Sequence, residues 1–227
     1  AQNSKNNFRQ GVREAERGII YNEFIDREED IMNGIVQRVD SRYIYVSLGK
    51  IEALLPASEQ MPNEQYKPHD RIKVYITKVE RTSKGPQIYV SRTHPGLLKR
   101  LFETEVPEIF DGTVEIKSVA REAGDRSKIS VHTDIPNVDP VGACVGQKGQ
   151  RVQVIVNELK GEKIDIVKWS EDPVEFVANA LSPSKVLEVL VNKEDKATTV
   201  IVPDYQLSLA IGKRGQNARL AAKLTGW

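Results

Sequence analysis

The feature that most constrains this chain is a loop that occurs twice. Gly146-Gln147-Lys148-Gly149 and Gly212-Lys213-Arg214-Gly215 begin 66 residues apart in matching local settings. An apolar helical stretch precedes each, Val141 to Val145 and Tyr205 to Ile211, and a Gln with a long amphipathic run follows each. Glycines at both ends permit a tight turn between two helices and let the backbone approach a ligand closely. A helix starting at the second glycine aims free N–H groups at that ligand, and its dipole favours negative charge there. Gln147 and Lys148 in one loop, and Lys213 and Arg214 in the other, add donors and charge suited to phosphate. A plain helix–turn–helix with capping glycines would account for one such loop. Two in matching contexts point to tandem modules, each holding a phosphate backbone.

Neither loop fits a nucleotide-binding fingerprint. A phosphate-binding loop of the G-x-x-x-x-G-K-[ST] type and a dinucleotide G-x-G-x-x-G turn both follow strands with other spacings. The remaining chemistry is equally sparse. His69, His94 and His132 are scattered, and none stands at metal-ligand spacing from another or from Cys144. No nucleophile motif with a partner base is recognisable. The sequence therefore leads us to expect no catalytic residue, no metal and no cofactor, although carboxylates are plentiful enough that a cluster in space stays open.

Composition sets the outer bounds. A length of 227 residues allows about one to three domains. At 39% hydrophobic the chain can build packed cores, with no run long enough to span a membrane. A polar, charged N-terminus and a single cysteine, Cys144, lead us to expect a cytoplasmic protein with no signal peptide. Cys144 lies in the apolar run before the first loop and reads as a small buried residue. The net charge of only +1 means that nucleic-acid contact must come from local basic patches, of which the two loops are the best candidates.

Along the chain, Phe8, Val12, Ala15 and Ile19 fall at helical spacing, predicting an amphipathic connector helix within residues 1–29. From Ile31 the period changes to two. Ile31–Val36, Tyr43–Leu48, Ile51–Leu55, Arg71–Val79 and Gln87–Ser91 read as five short strands between turn residues, which suggests a small closed barrel of the OB type over residues 30–94. Tyr43 and Tyr45 share one parity and Ile44 and Val46 the other. With the aliphatic pair in the core, the two tyrosines stand outside as a base-stacking platform.

These residues carry a specific resemblance. Gly34-Ile35-Val36, the run Tyr45-Val46-Ser47-Leu48-Gly49-Lys50-Ile51-Glu52-Ala53-Leu54-Leu55-Pro56, and Ile88-Tyr89-Val90-Ser91-Arg92 resemble an S1 RNA-binding domain. The resemblance implies that Tyr45 is a stacking aromatic and that Arg92 contacts the nucleic-acid backbone. Many members have His where this chain has Pro56, a departure that removes one expected contact.

Thr93-His94-Pro95-Gly96 is a breaker cluster and an expected domain boundary. The chain then repeats itself. Helix Leu97–Glu105, strands Thr113–Ala120 and Lys128–His132 about Gly124, the first loop between two helices, and strand Lys163–Lys168 form one unit, residues 97–168. Helix Pro173–Ala180, strands Lys185–Val191 and Thr198–Val202, and the second loop between two helices form the other, residues 169–227, which lacks the last strand. This α-β-β-α-α-β order resembles the type II KH domain. Fold class is thus expected to be α+β multidomain: an OB-type S1 barrel followed by two tandem type II KH domains.

One S1 barrel ahead of two KH units resembles the NusA family of bacterial transcription factors. Polynucleotide phosphorylase, by contrast, carries KH before S1, and exosome cap proteins carry S1 before a single KH. The resemblance implies a monomer that binds single-stranded nascent RNA and modulates pausing, termination and antitermination. It implies contact with RNA polymerase mainly through an N-terminal domain that precedes the S1 barrel and is absent from these residues. Within the KH units, Gly146, Gln147, Lys148, Gly149, Gly212, Lys213, Arg214 and Gly215 would clamp phosphates, reinforced by Arg151 and Arg219 one turn into the following helices. Bases would be read along Ile129 to Val131 and Val200 to Val202, beside the small residues Ala143 and Ala210. Two other readings stay open: a protein-interaction scaffold with the loops as mere turns, and an RNA-processing accessory module of an exoribonuclease.

Overall fold

The computed structural model describes residues 2–227, with side chains from Arg13 onward. The chain divides into two compact units, Ala1–Arg100 and Leu101–Trp227.

The first unit opens with helix α1 (Gln2–Ile25) and continues into β1 (Ile31–Val39), β2 (Tyr43–Ser47), β3 (Glu52–Pro56), β4 (Arg71–Thr82) and β5 (Gly85–Ser91). The strands close into a barrel in the order β1-β2-β3-β5-β4. All five expected strands form; β4 runs three residues further than its alternation suggested. Alternation drives the closure. Val36, Ile44, Val46, Ala53, Leu55, Val74, Ile76, Ile88 and Val90 point inward and are buried, at about 1.5–3 kcal/mol for each larger aliphatic side chain. Register shifts between Val36 and Arg38 and between Ile76 and Lys78 supply the local bending that a small barrel needs.

Helix α1 forms as expected, but the buried face differs. Phe8 and Val12 lie outside the described side chains, while Ala15 and Ile19 are exposed, Ile19 by 65%. The stripe that packs is Ile20, Tyr21, Phe24 and Ile25, which joins the barrel core with Phe24 buried. Arg81 on β4 stacks over the Tyr21 ring at 4.2 Å. The face is thus chosen by the aromatics nearest the barrel rather than by the upstream stripe.

A helix α2 (Pro95–Glu105) carries the chain into the second unit, which continues through α3 (Pro107–Phe110), β6 (Glu115–Glu122), β7 (Arg126–His132), α4 (Pro140–Val145), α5 (Gln150–Glu158) and β8 (Lys163–Lys168). The sheet order is β6-β7-β8, with β7 antiparallel to β6 and parallel to β8. The second copy follows: α6 (Pro173–Ala180), β9 (Glu188–Asn192), β10 (Ala197–Ile201), α7 (Leu207–Ile211) and α8 (Gln216–Thr225). Strand β9 starts three residues later than expected. The predicted helix Tyr205–Ile211 splits into a 3-10 turn, Asp204–Gln206, and α7.

The two copies share a core. Helix α8 of the second packs on β6 and β7 of the first. Ala120 and Val167 of the first copy lie in one buried cluster with Phe176, Ala180, Leu220 and Leu224 of the second. Ser118 Oγ donates to the Leu224 carbonyl at 2.9 Å, and Lys128 Nζ reaches the Ser182 carbonyl at 2.8 Å. A fully buried ion pair, Arg121 with Glu162, pins the hairpin that joins β6 to β7; Glu162 also accepts the Gly124 amide at 2.8 Å.

Candidate nucleic-acid interface

The two loops have nearly the same backbone. Gly146 and Gly212 sit at φ/ψ of 76°/173° and 79°/169°, a region essentially reserved for glycine. A Cβ at Gly146 would lie 2.7 Å from Arg151 Cγ, and one at Gly212 would lie 2.7 Å from the Asn217 amide nitrogen. No larger residue fits either position. Lys148 at 54°/26° and Arg214 at 57°/26° are left-handed non-glycine residues, which costs roughly 1–2 kcal/mol each. Gly149 and Gly215 then share a φ of 74° and lead into α5 and α8.

The same geometry recurs where each loop meets the helix that follows it. Neither α5 nor α8 has a side chain capping its first turn; the amides of Gly149 and Gln150, and of Gly215 and Gln216, donate instead to carbonyls of the loop's own 3-10 turn, with the positive end of the helix dipole behind them. Gln147, Lys148, Lys213 and Arg214 are all exposed at the loop tips. Among the described residues no ion pair ties down Lys148, Lys213 or Arg214, so their charge is available to a ligand.

Arg151 and Arg219 stand differently from expectation. Arg151 Nη1 donates to Glu108 Oε2 at 2.8 Å and to the Ala143 carbonyl at 2.7 Å. Arg219 is bidentate on Glu122, at 2.9 and 2.7 Å, and donates through Nη1 to the Arg214 carbonyl at 2.9 Å. The hydrogen bond from Arg219 holds the Glu122 carboxyl below its usual range and raises the Arg219 guanidinium in turn. Both arginines are turned back onto the loops as braces, with their charge matched by a carboxylate. Asn217 plays the part in the second loop that Arg151 plays in the first. It is buried, and its Nδ2 donates at 3.0 Å to the carbonyls of Ala210 and Leu181.

The strand expected to read bases also differs from expectation. Strand β7 has both edges occupied, by β6 and β8, so the backbone of Ile129 to Val131 has no free hydrogen-bonding edge, and Ile129 and Val131 are buried. The edge strand beside α4 is β8, which places the free main-chain groups on Lys163–Lys168. In the second copy β10 pairs with β9 alone. Its other edge opens on an apolar cleft of about 420 Å³, lined by Val200 and Val202 with Leu207, Ala210, Ile211 and Trp227. Tyr205, 78% exposed, adds an aromatic near this loop that periodicity alone did not single out.

On the barrel, Tyr43 and Tyr45 lie on the outer face, edge to face with centroids 6.3 Å apart. Arg38 stacks over Tyr45 at 3.9 Å, and a hydrogen bond to Asp40 raises the Tyr45 hydroxyl above its usual range. Pro56 sits directly opposite Tyr43 on β3, so the side chain that departs from the S1 pattern is a neighbour of the platform. Tyr89 on β5, not anticipated, is half-buried, with its hydroxyl bonded to Gln87 and Glu80. Arg92 is a correction. Its side chain is fully buried, paired with Glu64 at 2.8 and 3.0 Å and bonded to the Lys73 carbonyl at 2.8 Å. It staples the barrel and has no path to a phosphate.

Cys144 is buried, and burial pushes its thiol up to about 12, as befits a core residue. Among the described residues no three His, Cys, Asp or Glu side chains gather as a metal site, and no helix is long and apolar enough to cross a membrane.

Residues 25–91 match the S1 RNA binding domain, residues 92–169 the NusA-like first KH domain, and residues 173–227 the NusA-like second KH domain. The chain belongs to the NusA family. Curated relatives named transcription termination/antitermination protein NusA bear this out. The Bacillus subtilis protein is 85% identical over 227 residues, 100% of this chain and 61% of its own length. Those of Halalkalibacterium halodurans and Thermus thermophilus are 81% and 53% identical over 100% and 96% of this chain, and 59% and 57% of their own lengths. The chain thus spans about three fifths of these NusA proteins, covering their S1–KH–KH segment.

Proposed function

We propose that this chain is the RNA-binding body of a NusA-type termination and antitermination factor, holding single-stranded transcript in two consecutive phosphate clamps. The observation that carries the reading is the duplicated loop. Two segments of different sequence adopt the same left-handed turn at an uncapped helix start, each with free cationic tips. KH loops hold about four nucleotides of single strand by this means. Lys148, Lys213 and Arg214 would position phosphates and carry little sequence information. Bases would be read along the free edge of β8 in the first module and in the apolar cleft beside β10 in the second. The barrel tyrosines Tyr43 and Tyr45 form a secondary platform. Contact with RNA polymerase is assigned to a segment of the family preceding the barrel, and the factor is taken to act in the cytoplasm as a monomer and a binder rather than an enzyme.

The test is direct. Replacing Gln147, Lys148, Lys213 and Arg214 together by Asp should abolish binding to a labelled single-stranded RNA while leaving the circular dichroism melt in place. Unchanged affinity in a fluorescence or filter assay refutes the clamps.

A further inference from the structure

We propose that Glu122, a residue of the first KH module, is a positioning residue for the RNA clamp of the second. The proposal rests on the reading that the loops bind RNA and extends it to how one module sets the other.

Each loop has a brace from its own module, Arg151 in the first and Asn217 in the second, and the second loop has a further brace from outside its module. In the first, Arg151 holds the Ala143 carbonyl and is itself held by Glu108, so every member of the brace belongs to that module. In the second, Arg219 holds the carbonyl of Arg214, the strained left-handed residue of the clamp itself. The carboxylate that orients Arg219 is Glu122, the last residue of β6, at 2.7 and 2.9 Å. The same hairpin also holds Gln216, the residue after Gly215, whose Nε2 donates to Asp125 Oδ2 at 2.8 Å. The β6–β7 hairpin of one module therefore grips the first turn of the helix whose N-terminus cradles phosphate in the other. That hairpin is rigid, because the buried Arg121–Glu162 pair fixes it from behind. Arg219 spends its donors on Glu122 and Arg214, which makes it a strut and leaves phosphate contact to Lys213 and Arg214.

Glu122→Gln removes the charge with little change of shape, and two readouts follow. Without RNA, amide hydrogen exchange should quicken at Lys213 to Gln216 and stay unchanged at Gln147 to Gln150, with core protection as the folding control. With a labelled mixed-sequence single-stranded RNA, affinity should fall roughly threefold to fivefold, the upper range for a solvent-accessible ion pair. The swap Glu122→Arg with Arg219→Glu restores an ion pair but leaves no donor for the Arg214 carbonyl, so it should not rescue either readout. Unchanged exchange at the second loop, or full rescue by the swap, overturns the proposal. So does tighter binding by Glu122→Gln, which would make Arg219 a phosphate contact held in check. Faster exchange in a protein whose parent binds no RNA would instead sink the RNA reading and show the brace to be structural only.

Discussion

The cations at the loop tips make a quantitative claim about salt. Lys148, Lys213 and Arg214 are exposed and without ion pairs among the described residues, so each can neutralise one phosphate. On a single strand each neutralised phosphate contributes about −0.7 to the slope of log affinity against log salt. Three contacts then contribute about −2.1, an affinity loss of roughly 18-fold between about 50 and 200 mM salt. Replacing all three by Gln keeps length and polarity and removes only charge. Fluorescence anisotropy across a salt series should show the slope becoming shallower by about 2 units, with the two proteins converging at high salt. Arg151 and Arg219 enter this count as zero, because Glu108 and Glu122 already neutralise them. Arg151→Gln should therefore weaken binding through the loop without changing the slope. A slope unchanged by the triple substitution would refute the assignment of these three side chains to phosphate. A slope made shallower by changing Arg151 would refute its role as a brace.

Two other substitutions follow from the same geometry. Tyr45→Ala removes a stacking surface worth about 1–3 kcal/mol per base when it is free, but Arg38 already covers that ring and Pro56 flanks the platform. The affinity loss, read by the same anisotropy assay, should be smaller than that of the loop variants, and a larger loss reverses the ranking of barrel and clamps. Glu162→Ala takes the carboxylate away from the buried Arg121 guanidinium and from the Gly124 amide. It should cost about 3–5 kcal/mol in a denaturant melt, and a loss within the range of a surface pair would show that the hairpin is not pinned this way.

What could be read in the sequence was what local backbone physics decides. The Gly-x-x-Gly turns were legible because their φ values exclude other residues at Gly146 and Gly212, and the barrel strands because burial alternates along them. Strand Lys163–Lys168 and helix Pro173–Ala180 form with the expected ends. Partner choice was not legible. Arg92 looked like a phosphate contact until Glu64, 28 residues away, closed on it in the barrel. Arg219 looked free because Glu122 lies 97 residues upstream. Ile129 to Val131 looked like a readable strand because nothing local says that β8 will cover its edge. Asn217 left only a weak trace, a polar residue where an amphipathic helix turns inward, and its role appears once Ala210 and Leu181 are seen to need a donor.

These missed partners bear on why the loop is duplicated. One KH clamp holds about four nucleotides, and the charge it offers a single strand is modest. Linking two such sites makes the second engagement intramolecular, with a gain set by how well their separation is fixed. Independent modules on a flexible tether would lose much of that gain to orientational freedom. Here the second module shares its core with the first through Ala120 and Val167, and α8 lies on the β6–β7 sheet. The Glu122–Arg219 brace then extends that order to the turn proposed to hold the ligand. Acidic residues beside an RNA clamp would be a liability if they faced the strand. Paired with Glu108 and Glu122, the two arginines do not compete for phosphate in a less defined geometry, and in the proposed clamps Lys148, Lys213 and Arg214 are left to set the contact.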